Sequence, residues 1–453
     1  MTSRRNFLRQ LAIASMATTG LGAVSDLRRI AAAAAPLSKA AGEYKALVCL
    51  FLYGGNDANN MVIPTAPGEF LQYQGPRGNL ALPAAGILPI TSANTPGRTF
   101  GLHPAMTGLR DLVNAGKAGI VANVGPLLAP TTRDEYRNRS VPLPSNLFSH
   151  SDQQAQWQSS ISDSPASTGW GGRIADIMKE LNGTATTSTC ISVAGNNLWE
   201  NGTSITSFKV SPNTGFGLKY YKGAAATDPV SRGMNEMLAS PQGHLFDRTW
   251  MDTVSRSITS QQALQDALNT STLATVFPDT GLAGSLRMIA RLIGARAALG
   301  VTRQVFFCSI GGFDTHGAEQ LGRQTELLGE MSGAVKSFYD ATVELGVANN
   351  VTLFTASDFS RTFQTNGRGS DHAWGSHQFV VGGGVHGGNV FGAFPTLVVG
   401  GPDDTDTGRW IPTTSIDQYA ATLATWFGVS PADLPTIFPK LSRFAIPNLG
   451  FVV

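Results

Sequence analysis

The sequence predicts an α/β fold, a mostly parallel central sheet with helices on both faces, and three observations predict it. Runs of strand length at residues 45–53 (KALVCLFLY), 119–124, 304–310 and 351–355 are apolar nearly throughout, as strands must be when a sheet is covered on both sides. Between them, apolar residues recur at helical spacing, as in Leu282, Leu286, Ile289, Leu292 and Ile293. The runs also end alike: Gly54-Gly55-Asn56-Asp57 closes the first, Gly311-Gly312-Phe313-Asp314 closes the third, and Asp358 follows the fourth. Paired glycines let the chain turn sharply, and an aspartate placed there projects from the edge at which open α/β sheets hold ligands.

Taken in order, the chain opens on Ser3-Arg4-Arg5-Asn6-Phe7-Leu8-Arg9, a short apolar segment over 11–24 and an alanine tract over 31–35. This pattern looks like a twin-arginine export signal, so residues 1–35 are read as a signal peptide outside the fold. The reading predicts a periplasmic or secreted protein that meets the twin-arginine translocase during export. The apolar segment is too short and too rich in Ala, Thr, Ser and Gly for an anchor, so no stable membrane span is expected after cleavage. Among 453 residues, 33 basic against 31 acidic ones leave a net charge of +2, which gives no electrostatic case for nucleic acid. A charged fraction of only 14% and 51 glycines suit an exported protein with many tight turns. The 3 cysteines make no disulfide framework, and no Cys-x-x-Cys suggests structural zinc.

The first strand is followed by a loop-like stretch over 64–99, a helix over 103–115 and the second core strand. Next comes Ser149-His150-Ser151-Asp152, leading into a polar helix through Trp157. Ser149 or Ser151 reads either as a helix cap or as a nucleophile at the positive helix end. Arg173, in Trp170-Gly171-Gly172-Arg173, is placed to cover an anionic substrate or simply to start a helix. Residues 183–275 read as an insertion or cap, with a strand candidate at 190–193, and 261–299 as a core-facing helix pair. The third strand leads to Asp314-Thr315-His316, whose spacing puts two metal-ligand types close together. An amphipathic helix over 320–345 follows. Residues 351–388 then hold His372, His377 and His386 of the 7 histidines, together with Asp358 and Asp371. That density suits a metal or acid–base site. A strand after His377, another over 396–400 and a helix over 416–427 complete the reading. With no internal repeat or dividing linker, 43–453 is expected to form one domain.

Leu52-Tyr53-Gly54-Gly55-Asn56-Asp57, Ser149-His150-Ser151, Gly311-Gly312-Phe313-Asp314-Thr315-His316, Ser357-Asp358-Phe359-Ser360-Arg361 and the 372–377 segment resemble the alkaline phosphatase and sulfatase superfamily. More closely, the chain resembles a twin-arginine-exported bacterial family of unknown function assigned to that superfamily. The resemblance implies an alkaline-phosphatase-like three-layer sandwich and hydrolysis of phosphate or sulfate esters, carried by a small molecule or a polysaccharide. It implies one or two divalent ions (zinc, calcium, manganese or magnesium), with Asp57 and Asp358 on the first and Asp314, His316 and His377 on the second. Ser149 is the implied nucleophile, and Arg361 or Arg173 would neutralise the transferred group. Phe359 stands where the superfamily carries a histidine, which leaves His372 or Asp371 to complete the ligand set. A formylglycine sulfatase is disfavoured, because no cysteine lies in Cys-x-Pro-x-Arg. Two other classes are carried alongside: a metal-independent serine esterase using Ser149 with His377, and a non-enzymatic exported binding or envelope protein on the same fold.

Overall fold

Strand β1 (Lys45–Tyr53) shows why the sheet must lie in the middle of the molecule. Ala46, Val48, Leu50 and Leu52 pack into one apolar cluster, and the alternate residues Leu47, Cys49 and Phe51 into another, so neither face of the strand meets water. The structure is a computed structural model that describes residues 43–453 apart from 184, 186, 213–217, 219 and 241–243. The twin-arginine segment, residues 1–35, lies outside the described residues.

After β1, strands β2 (Val62–Pro64), β3 (Leu88–Ile90) and β4 (Phe100–Leu102) form a small sheet of their own in the order β2-β4-β3. Helix α1 (Pro67–Arg77) lies between β2 and β3, with Pro67 at its first position. This corrects the loop-like reading of 64–99. Proline is at home in a first helical turn, and strands of three residues are too short to show a period. The chain continues through α2 (Thr107–Asn114), β5 (Ala118–Gly125), α3 (His150–Ser159) and α4 (Trp170–Met178). Within 183–275 the chain adds β6 (Cys190–Ser192) and β7 (Phe208–Lys209) to one end of the sheet, followed by α5 (Leu245–Asn269). Then come α6 (Gly281–Gly294), β8 (Arg303–Gly311), α7 (Gln320–Glu344), β9 (Val351–Ser357) and β10 (Ser376–Val381). Strands β11 (Val390–Phe391) and β12 (Thr414–Ser415) and helix α8 (Ile416–Phe427) follow, and short helical turns at Leu434–Ile437 and Leu441–Arg443 come after them. The strand expected over 396–400 is absent: Leu397 takes a left-handed φ of 55° and Thr396 N–H donates to the Asp403 carboxylate, which turns the chain out of any ladder.

The main sheet runs β11-β5-β10-β9-β1-β8-β6-β7, with β12 also on β5. Every pairing is parallel except those of β10, which is antiparallel to both β9 and β5. Helices α2, α6 and α7 pack on one face, and α4 and α8 on the other, giving the three layers of an α/β fold. Cys49, Cys190 and Cys308 are buried free thiols. Among the described residues no helix is long and apolar enough to cross a membrane.

Candidate metal centre

The carboxyl ends of the neighbouring strands β9, β1 and β8 open on one edge of the sheet. Because β10 runs the other way, the segment that enters it, carrying His372, starts from that same edge. Helix α3 brings its first residue, His150, to the same place. Gly54 makes the convergence possible: its φ is 111°, and an added Cβ would stand 2.5 Å from the Asp314 backbone nitrogen.

Three imidazoles surround one carboxylate oxygen there. Asp314 Oδ1 lies 3.0 Å from His316 Nε2, 3.4 Å from His150 Nε2 and 3.5 Å from His372 Nε2. His372 Nε2 is 3.1 Å from His150 Nε2 and 2.9 Å from His316 Nε2. Each ring is oriented by what its neighbours can give or take. His372 Nδ1 faces the Phe148 carbonyl at 2.8 Å; a carbonyl only accepts, so the proton is on Nδ1. His150 Nδ1 lies 2.6 Å from Asp358 Oδ2, and that carboxylate also accepts from Gln154 Nε2 at 2.9 Å. His316 Nε2 is 3.1 Å from Arg361 Nη1, which only donates, while its Nδ1 faces Asp371 Oδ1 at 3.3 Å. In the neutral rings the Nε2 atoms of His150 and His372 therefore present lone pairs toward the Asp314 carboxylate and toward each other, while that of His316 accepts from Arg361.

Arg361 holds the loops in register. Completely buried, it donates to the carbonyls of Gly54, Gly55, Phe313 and Ser370 and pairs with Asp314. Burial alone would raise the Asp314 pKa, but the hydrogen bond and charge of Arg361, with help from His150 and His316, bring it down to about 2. The Asp358 hydrogen bond holds His150 above the usual imidazole range, against the opposing pull of burial. Burial, reinforced by the positive charge of Arg361, depresses His372. The Phe359 ring lies 4.7 Å from both His150 and His372 and walls the cluster on the sheet side.

Asp314, His316, Asp358, Arg361 and His372 are thus brought together from the residues singled out in the sequence, and Asp371 backs His316. The remaining candidates have other partners. Asp57 is buried, paired with Arg77 and hydrogen-bonded by Gln320 Nε2 at 2.8 Å. His377 is enclosed in β10, its Nδ1 accepting the Asn123 N–H and its ring stacked 4.4 Å from Phe394. Burial, with Arg98 nearby, pushes it down to about 3. Arg173 donates to the carbonyls of Ser159, Thr168 and Ile437. Ser149 adjoins the cluster in sequence, but its Oγ donates to Asp152 Oδ2 at 2.6 Å. The two-ion assignment therefore contracts: among the described residues the group of metal-ligand types that converges is built on His150, Asp314 and His372. Sequence reasoning passed over His150 and Gln154 as site residues. The available signal was a histidine among only 7, on the first position of a helix.

Over residues 44–405 the chain matches the family described as "Protein of unknown function (DUF1501)". No curated protein matches it. Solved structures similar to it include the lipoteichoic acid synthase LtaP from Listeria monocytogenes, at 8% identity over 87% of this chain and 74% of that one, TM-score 0.36. The PsFucS1 sulfatase from Pseudoalteromonas sp. is similar at 8% identity over 95% of this chain and 75% of that one, TM-score 0.38. A protein in the alkaline phosphatase superfamily from Vibrio parahaemolyticus is similar at 10% identity over 86% and 67%, TM-score 0.33.

Proposed function

The chain belongs to that family of unknown function, and we propose that it is an exported, divalent-metal-dependent hydrolase of phosphate or sulfate esters. The observation that carries the metal is the convergence of His150, His372 and Asp314, with the tautomers that the neighbours of the rings favour. His150, His316 and His372 each keep the Nδ1 proton toward Asp358, Asp371 or the Phe148 carbonyl and turn Nε2 toward Asp314. Ring nitrogens 2.9 and 3.1 Å apart need either a shared proton or a cation among them. Ligand bonds of 2.0–2.1 Å in a tetrahedron set its edges at about 3.4 Å, near the spacings here. The carboxylate and carbonyl behind the rings are the supporting partners that metal-bound histidines usually have.

His150, His372 and Asp314 would hold the ion, with His316 beside them. A divalent ion held there supplies Lewis-acid polarisation of an ester oxygen and a lowered pKa for water. The chain's own residues do the rest. Asp358, steadied by Gln154, keeps His150 in its orientation. Arg361 keeps Asp314 ionised and adds a positive charge beside it. The attacking oxygen comes from water or from Ser149, whose hydroxyl has Asp152 as a proton acceptor. The paired arginines at Arg4 and Arg5 support export to the periplasm or beyond through the twin-arginine translocase.

The test is elemental analysis of the purified full chain, followed by a panel of aryl phosphates and sulfates with and without chelator. About one divalent ion per chain, ester hydrolysis lost on chelation and regained with zinc or manganese, is the expected result. A protein that takes up no ion, or hydrolyses esters equally well after chelation, sinks the proposal.

A further inference from the structure

We propose that Arg409 receives the anionic group of the ligand at this centre, and that the ligand is accordingly a tetrahedral oxyanion or its ester. The inference rests on the reading of the cluster as a metal centre and adds a residue that the sequence did not single out. A cationic site beside His372 needs a guanidinium with free donors. Arg361 has none to offer, since its nitrogens all serve backbone carbonyls, Asp314 and His316. Arg173 is tied to backbone carbonyls.

Arg409 differs from both. Its Nε donates to the His372 carbonyl at 2.8 Å, and its guanidinium carbon lies 4.9 Å from the centre of the Phe148 ring. Both anchors belong to the centre, because Phe148 is the residue whose carbonyl holds His372 Nδ1. With Nε and one planar face committed, the Nη1 and Nη2 edge is left. Among the described residues no hydrogen bond or ion pair engages either atom. Asp371, whose carboxylate feels its charge, is engaged by Asn366 Nδ2 and His316 Nδ1.

The mounting is rigid on both sides. Phe148 holds a φ of 72°, a costly conformation for a bulky residue, and Gln153 Oε1 accepts its N–H at 2.6 Å. The backbone around Arg409 is pinned by Thr405 N–H to its own carbonyl and by its N–H to Asp406 O, and Asp404 accepts the Gly400 and Gly408 N–H groups. Next along the chain, Trp410 is buried and donates to Asn59 Oδ1. A planar fork held in one orientation loses little entropy on binding and matches the paired oxygens of phosphate or sulfate.

The experiment measures binding of inorganic phosphate and, separately, sulfate to the zinc-loaded full chain by calorimetry, for wild type, Arg409→Met and Arg409→Lys. Zinc affinity and thermal midpoint are followed in parallel. Arg409→Met is expected to weaken the preferred oxyanion at least about tenfold, with zinc affinity changed less than about threefold. Arg409→Lys, which keeps the charge without the fork, should fall between, and it remains the deciding variant if Arg409→Met is unstable. The ratio of phosphate to sulfate affinity in wild type tells the two ester classes apart. Oxyanion binding unchanged in both variants, no saturable binding of either ion to wild type, or a loss of zinc affinity as large as the loss of anion affinity each overturns the inference. A wild type that takes up no metal but still binds phosphate through Arg409 removes the metal reading and leaves this one standing.

Discussion

Asp57 and Asp314 follow the same Gly-Gly turn at the ends of adjacent parallel strands, where Tyr53 pairs with Gly311, yet they sit in opposite surroundings. The Asp57 side chain is 2% exposed and closed in by Arg77, Gln320 and the Asn59 N–H. The Asp314 side chain is 50% exposed, paired with the buried Arg361 and faced by three imidazoles. Identical local grammar delivers a carboxylate to the same edge of the sheet, and what the neighbouring segments bring to meet it decides whether it becomes a strut or a ligand. A strut is matched by one cation and sealed. A ligand is left with more acceptors than donors.

The largest effect that would break this contrast is expected at the strut. Arg77→Met strands a buried carboxylate and should cost roughly 3–5 kcal/mol of unfolding free energy in denaturant titration. A loss below about 1 kcal/mol would mean that Asp57 reaches water or another cation. Glu200 sharpens the same point, as a completely buried carboxyl with no salt bridge among the described residues. Burial raises its pKa from 4.5 to about 8, and the hydrogen bond from Asn197 offsets this only in part. A folded-state pKa above the unfolded one means that the unfolded chain releases its proton first. The contribution of Glu200 to stability should therefore be full below about pH 4.5 and be lost as the pH rises through about 8, by on the order of a few kcal/mol. Glu200→Gln should flatten that slope in pH-dependent thermal unfolding, and an unchanged slope would remove Glu200 as its cause.

On the ligand side, Asp358→Asn leaves His150 with a weaker partner. It should reduce zinc affinity about 10–100-fold in a competition titration. A variant that binds zinc as tightly as wild type would show that His150 is not a ligand. The smallest effect is expected at Ser149. If water is the attacking group, Ser149→Ala should change ester turnover less than about threefold, whereas loss of all turnover would make the serine the nucleophile.

Much of this was legible in the sequence where segments are long. The bounds of β1 and of helix α8, Ile416–Phe427, follow directly from their apolar patterns. The small sheet of β2, β3 and β4 is not legible, since three residues carry no period. At the site, Asp314, His316 and Asp358 were visible because they close long strands. His372 and His377 were harder to separate. Both flank the start of β10, but one precedes the strand at the open edge and the other is walled in by Phe394 and Asn123. His150 was hidden by its own serines, which drew attention as caps or nucleophiles. Phe359 occupies the position of the histidine expected from the resemblance, and its ring packs against His372, which arrives from farther along the chain.

The reversed direction of β10 has a consequence for where the chain carries its site. Because β9 leaves the sheet and β10 re-enters it at the same edge, residues 358–375 form one closed excursion, drawn together where Arg361 and His372 meet in an antiparallel bridge. Asp358, Arg361, Asp371 and His372 all ride on it. The excursion thus carries much of the candidate site on one stretch of chain, while the register of β9 and β10 is set by their own ladder in the sheet.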